Sequence, residues 1–207
     1  MRIGILGAGN VGGTLGRLLA RRGHTIAFGV REPGRAAIAE LATLTGGRAG
    51  PPAGVADAEV IVLAVPWASV PDALAAAGDL SGKILVDATN PLLGGLRGLA
   101  LGTDRSGGEE VARLAPGARV VKAWNGLGMQ TLARVAAGEL AASGFLCGDD
   151  AAAKQTVGEL VGETGLVPVD CGPLSAARML EPLAFLWIHL AYRVGLGPNI
   201  AFFLHRG

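Results

Sequence analysis

Apolar positions along the chain fall into short runs separated by longer amphipathic stretches, an order that predicts alternating strands and helices. Ile3, Ile5 and Leu6 read as a short buried strand, and Leu15, Leu18 and Leu19 follow at helical spacing. A helix stop at Arg21-Arg22-Gly23 leads into a second strand over residues 24–29. Residues 33–46 carry a helical pattern closed by Gly46-Gly47, and a Pro- and Gly-rich turn follows over 50–54. The run 59–65 is apolar almost throughout, as expected of a strand buried on both faces of a parallel sheet. It stops at Pro66, and Pro66-Trp67 opens an Ala-rich helix. The same grammar recurs over 83–91 and 119–125, with a Gly-rich loop predicted across 92–108 between them. Strands over 145–147 and 165–170 flank a helix across 150–163. Strands alternating with helices throughout predict an α/β fold with a mostly parallel, doubly wound sheet.

The last segment differs in character. From Ser175 to Val194 the pattern predicts a strongly apolar helix, broken at Gly195-Leu-Gly-Pro198 before the apolar stretch 200–204. A membrane span needs about 20 apolar residues with few charges. Glu181, His189 and Arg193 interrupt this one, so the expectation is a buried or dimer-forming helix, with residues 1–172 as the main domain and 173–207 as a helical segment. The apolar surplus of that segment predicts a homodimer, or a lid over the site.

Between the first strand and first helix, Gly7, Gly9 and Gly12 supply the spacing G-x-G-x-x-G. That setting marks the dinucleotide-binding fingerprint of a Rossmann domain, because the glycines permit a tight turn, close approach of backbone to a pyrophosphate, and close helix packing. Ala8, Asn10 and Val11 belong to the same loop, whose free N–H groups face an anion. A site for NAD places an acid about 20 residues beyond the glycines. This chain carries Val30-Arg31-Glu32 there, with Arg35 one turn on, and the two guanidiniums suit the 2′-phosphate of NADP.

The carboxyl ends of the predicted strands supply Val65, Pro66, Trp67, Asn90, Trp124 and Asn125, at the edge where open α/β sheets bind ligands. No histidine, activated nucleophile or metal-ligand cluster falls among them. Hydride transfer between nicotinamide and a flavin-like ring fits such a set, since the cofactors carry the chemistry and the protein positions them. Reduction of a ketone or imine would call for a proton donor.

Composition narrows the partners. The 207 residues carry 18 Lys plus Arg against 17 Asp plus Glu, a net charge of +1, so neither nucleic acid nor an anionic membrane is implied. Cys147 and Cys171 lack metal-site spacing and are expected as buried thiols. No secretory pattern opens the chain, so a cytoplasmic location is expected.

Gly7-Ala-Gly-Asn-Val-Gly12, Phe28-Gly-Val-Arg31, Val65-Pro-Trp67, Cys147-Gly-Asp-Asp150 and Gly172-Pro-Leu-Ser175 together resemble the NADP oxidoreductases that use the deazaflavin coenzyme F420. The stretches 82–90 and 120–125 also resemble the NADPH domain of STEAP-type metalloreductases. The resemblance implies that Ala8 to Val11 hold the pyrophosphate, Arg31 and Arg35 the 2′-phosphate, and that Trp67 and Met129 line the NADP channel. It also implies a second substrate of F420, FMN or FAD type. The sequence departs from the family at Val30, where serine is frequent, and at Asn125, where the archaeal enzymes carry histidine. An NADP-binding sensor without turnover is the alternative, because fold alone does not settle function. Imine and hydroxyacid dehydrogenases share the fingerprint but append a long helical domain, for which the residues after Gly172 are too few.

Overall fold

A computed structural model of the chain describes residues 1–101 and 103–207; Gly102, inside the expected 92–108 loop, lies outside the described residues. In chain order the elements are β1 (Arg2–Leu6), α1 (Asn10–Arg21), β2 (Thr25–Gly29), α2 (Ala36–Thr45), β3 (Arg48–Gly50), β4 (Val60–Leu63) and α3 (Val70–Ala77). They continue with β5 (Ile84–Asp87), α4 (Gly107–Leu114), β6 (Arg119–Lys122), α5 (Met129–Ala136), β7 (Ser143–Gly148), α6 (Ala151–Glu163), β8 (Val167–Asp170) and α7 (Ala177–Ile188). The strands form one eight-stranded sheet in the order β3-β2-β1-β4-β5-β6-β7-β8. Every pairing is parallel except β6 with β7. The chain reverses direction across the sheet between β1 and β4, the switch point at which a Rossmann fold opens its ligand crevice.

Side chains alternate across each strand, so a fully buried strand feeds two cores. Ile3 and Ile5 of β1, Val60 and Val62 of β4 and Ile84 and Val86 of β5 pack with Leu15 and Leu19 of α1, Leu132 of α5 and Val157 of α6. Leu6, Ile61, Leu63 and Leu85 point the other way, onto Leu74 of α3, Val111 of α4 and Leu180 of α7. Close packing of α1 depends on Gly16, where a Cβ would fall 2.5 Å from the Phe28 ring of β2.

The hydrophobic pattern does not announce β3, α4 or α5. Three residues of β3 are too few to show alternation, and they replace part of the turn expected before β4. The loop after β5 ends earlier than 108 because Ser106 and Glu109 form a capping box that starts α4 at Gly107. Arg178 of α7 donates to both oxygens of Glu109, and this pairing holds the Glu109 carboxyl down at about 2. The expected 175–194 helix is α7 followed by a single π-turn over His189–Arg193.

Residues 173–207 are tied closely to the sheet. Leu174, Ala177 and Leu180 complete the second core. Beyond the π-turn the tail returns across α5 and β7: the Thr131 hydroxyl donates to the Pro198 carbonyl, the Trp187 indole to the Ile200 carbonyl at 2.7 Å, and the Ser143 amide to the Phe202 carbonyl at 2.9 Å. Met179, Leu186, Tyr192, Val194 and Leu196 stay exposed. They lie in the segment whose apolar surplus the sequence reading assigns to a partner subunit or a lid. No helix among the described residues is long and apolar enough to cross a membrane. Cys147 is buried, and burial pushes its thiol up to about 12; Cys171 is half-buried. His24 stands just before β2 and pairs with Glu163 of α6, a link between elements rather than a reactive group.

Candidate functional site

At the end of β1 the chain turns at Gly7 with φ +98°, a left-handed conformation in which a Cβ would lie 2.5 Å from the Ala64 carbonyl oxygen. Gly12, one turn into α1, would place a Cβ 2.1 Å from the Gly7 carbonyl oxygen. Gly9 is different in kind: a Cβ there meets no atom within 4 Å, and the residue lines a cleft. It is also the N-cap of α1, and no side chain caps that helix. A helix of twelve residues thus begins with unspent N–H groups facing a cleft that a side chain at Gly9 would fill. The loop therefore fits a pyrophosphate on stereochemical grounds.

The cleft has a volume of about 550 Å³ and runs from this loop past the end of β2 to α3. Gly7, Ala8 and Gly9 floor one end, with Val65 and Pro66 beside them. Arg31 and Arg35 stand at the other end, both exposed, and neither forms an ion pair with another described residue. Glu32 and Asp72 line the same cleft, but two guanidiniums that no carboxylate pairs suit a ligand phosphate. Ile38, Pro52 and Ala73 give the same end apolar walls, which suit a purine ring. Sequence reading missed these three, because an isoleucine, a proline and an alanine carry no chemical signature until the fold gathers them.

Asn90, Asn125, Met129 and Trp67 lie outside that cleft, at the ends of the next strands. Asn90 Nδ2 donates to the Asn125 carbonyl at 2.9 Å, while Asn125 Nδ2 donates to Asn90 Oδ1 at 3.1 Å and to the Leu180 carbonyl at 3.1 Å. Met129 opens α5 and is half-buried. Trp67 is half-buried against the start of α4, its ring 3.1 Å from where a Gly107 Cβ would sit. The structure places Trp124 elsewhere than the expected substrate wall. Its backbone is left-handed at φ 58°, and its indole, 2% exposed, joins the core of α1, α5 and α6 and donates to Thr164 Oγ1. A crevice beside it measures about 10 Å³, too small for a planar ring.

Beneath the asparagine pair lies a cluster that sequence reading also missed. Strand alternation puts Asp87 and Lys122 on one face, and the parallel register sets them side by side. Lys122 Nζ donates to Asp87 Oδ2 at 2.8 Å and to the Thr89 carbonyl at 2.8 Å, and pairs with Glu181 Oε1 of α7 at 2.7 Å. Asp87 Oδ1 accepts from the Thr89 amide and hydroxyl. The Glu181 carboxylate also accepts the Gly107 and Gly108 amides at the start of α4. Exposure of Asp87, Lys122 and Glu181 is 0%, 0% and 2%. Burial alone would push Lys122 down, but the two carboxylates outweigh it and its pKa is raised. The available signal was an acid and a base, each closing an otherwise apolar strand.

Comparison with known proteins agrees with this geometry. A model of the family described as NADP oxidoreductase coenzyme F420-dependent matches residues 2–91. The F420-dependent NADP reductase of Methanothermobacter marburgensis is 30% identical over 207 residues, covering 92% of this chain and 92% of the relative. Metalloreductase STEAP3 of Rattus norvegicus is 33% identical over 184 residues, which are 88% of this chain; the chain spans only 36% of that protein. A solved structure from Arthrobacter sp. FB24, assigned as an F420-dependent NADP-reductase, superposes with a TM-score of 0.89 at 36% identity over 100% of both chains. On this full-length similarity, together with a fingerprint loop and basic pair placed as a dinucleotide phosphate requires, the chain belongs to the F420-dependent NADP oxidoreductase family and its activity is NADP-dependent oxidation and reduction.

Proposed function

We propose that the protein passes hydride between NADP(H) and a flavin-type or deazaflavin acceptor at the carboxyl ends of β4, β5 and β6. The observation that carries this reading is the character of those ends. The side chains presented there are carboxamides, proline and a half-buried tryptophan, while the charges of Asp87 and Lys122 are buried and mutually neutralised. A reaction needing no protonation at the reacting atom suits such a surface. Bound NADPH would supply the hydride. The chain's own part is to hold the phosphates at Ala8 to Val11 and at Arg31 and Arg35, to seat the adenine against Ile38 and Pro52, and to orient the rings through Asn90 and Asn125.

The test is NADPH oxidation with F420, FMN, FAD and riboflavin in turn, using NADPH deuterated at either face of C4. One of these acceptors is expected to consume NADPH with a primary isotope effect from one face only. A protein that binds NADPH and consumes it with none of them would be a sensor instead.

Cofactor choice offers a second test of the same site. NADPH is expected to bind about ten- to hundred-fold more tightly than NADH, the worth of charge-assisted hydrogen bonds to one phosphate. Arg31→Ala should remove most of that preference in a calorimetric titration. Equal affinities in the unmutated protein would refute the assignment of Arg31.

A further inference from the structure

Strand register sets four reactive side chains in one row across β5 to β8. Asp87 of β5 pairs with Lys122 of β6, and Lys122 with Cys147 of β7. The pairing of β7 with β8 runs to Leu146 and Asp170, and the next residues, Cys147 and Cys171, continue it: the Cys171 amide donates to the Leu146 carbonyl at 2.7 Å. Residues side by side in a sheet point to the same face. Cys147 accordingly lies in the second core with Leu174 and Leu180, and Cys171 packs against that core. Both are free thiols.

Neighbouring strands lie about 4.8 Å apart, inside the roughly 4.4–6.8 Å that a disulfide bridges between Cα atoms. Neither thiol is committed elsewhere. Cys147 Sγ approaches the Leu174 carbonyl at 3.7 Å and Cys171 Sγ the Val169 carbonyl at 3.6 Å, and a thiol is a weak donor in such contacts. The two differ in access. Cys171 closes the edge strand and is half-buried, whereas Cys147 is 0% exposed. Burial raises both thiols, Cys147 to about 12, and the Lys122 ammonium beside Cys147 offsets only part of that. An oxidant from solution therefore reaches Cys171 first, and the thiol set beside it in the fold is Cys147.

We propose that Cys147 and Cys171 form a reversible dithiol–disulfide pair, oxidised by small disulfides of the glutathione type. The Cys171 thiolate attacks one sulfur of the oxidant, forming a mixed disulfide and releasing one small thiolate. Cys147 then loses its proton, and its Sγ attacks Cys171 Sγ and expels the second small thiolate. Two protein thiols become one disulfide, and the two electrons and two protons leave on the two small thiols. The second step is intramolecular, so side-by-side placement offsets the low thiolate fraction that burial imposes. The bond closes a loop that holds α6 and β8, and it ties β7 to the turn leading into α7. It is independent of which ring accepts hydride.

The test starts from the reduced, folded protein in excess glutathione disulfide at about pH 8.5, where more of each thiol is ionised. Intact-mass spectrometry is expected to show loss of the two thiol hydrogens with no glutathione retained, and proteolysis should yield a peptide that joins Cys147 to Cys171. Dithiothreitol should restore the parent mass. Cys147→Ser should stop at one glutathione on Cys171, while Cys171→Ser, whose remaining thiol is buried, should take up none in the same time. NADP⁺, at a concentration that raises the melting temperature, should leave the rate of oxidation within about two-fold, since a bond that forms only in unfolded chains would slow as binding depletes them. Three results on the unmutated protein would overturn the proposal: thiols that stay reduced, glutathione that stays attached, or a rate that falls in step with NADP⁺ binding. None of the three depends on whether a variant folds.

Discussion

Gly9→Val is expected to abolish NADPH binding in a protein that still folds. The residue has φ −77° and ψ −161°, an extended conformation that valine adopts readily, and a Cβ there meets nothing within 4 Å. Folding should therefore lose only the N-cap preference of glycine, about 1 kcal/mol or 2–4 °C of melting temperature for a chain of this size. The added methyls would stand where the unspent N–H groups of α1 meet the pyrophosphate. A loss of at least about a hundred-fold in affinity is expected, since the phosphate contacts that fail are charge-assisted. Gly12→Ala marks the contrast: its Cβ, 2.1 Å from the Gly7 carbonyl oxygen, would force the helix off its strand and reach the ligand only through the fold. Calorimetry and a thermal melt on Gly9→Val decide the matter, and near-normal NADPH affinity would remove the fingerprint from the functional argument.

Lys122→Met should have the largest effect on stability of any single change at the strand ends. Methionine matches the length of the stem but leaves Asp87 and Glu181 facing each other as buried acids without their cation. Breaking a buried ionic cluster on one side costs about 3–5 kcal/mol, a large fraction of the 5–15 kcal/mol typical of a whole domain. The expected drop in melting temperature is roughly 6–20 °C. Replacing all three charges together, as Asp87→Asn/Lys122→Met/Glu181→Gln, should recover most of that loss, because no unpaired charge remains in the interior. Denaturant titration of the single and triple variants checks this. A single variant within about 1 kcal/mol of the parent would mean that the carboxylates find protons or water, and that the cluster is not the closed network the distances describe.

Much of the fold was legible in the sequence because its causes are local. Uninterrupted apolar runs mark β4 and β5 as strands buried on both faces, whatever their neighbours turn out to be. The spacing of Gly7, Gly9 and Gly12 is equally local, since all three fall within one strand-turn-helix unit, although Gly7 meets its steric limit against the Ala64 carbonyl after β4 and a Cβ at Gly9 meets nothing. The basic pair after β2 could be assigned because its distance along the chain from the glycines determines its place in space. Even α4 left a readable mark in the capping box of Ser106 and Glu109, hidden by the glycines around it.

Other features have no local cause. Nothing near Trp124 in the chain says that its backbone turns left-handed and sends the indole into the core; that follows from the space waiting beside Thr164 at the end of α6, forty positions on. The cluster of Asp87, Lys122 and Glu181 exists only because β5 and β6 pair in parallel and α7 folds back across them. The sequence by itself determined the alternating elements, the glycine loop between β1 and α1 and the basic pair after β2, because periodicity and turn chemistry act over a few residues. Tertiary structure alone decided that Asn90 and Asn125 pair with each other and that Asp87, Lys122 and Glu181 meet in the interior, because hydrogen-bond partners and charge burial depend on strand register and on residues dozens of positions away.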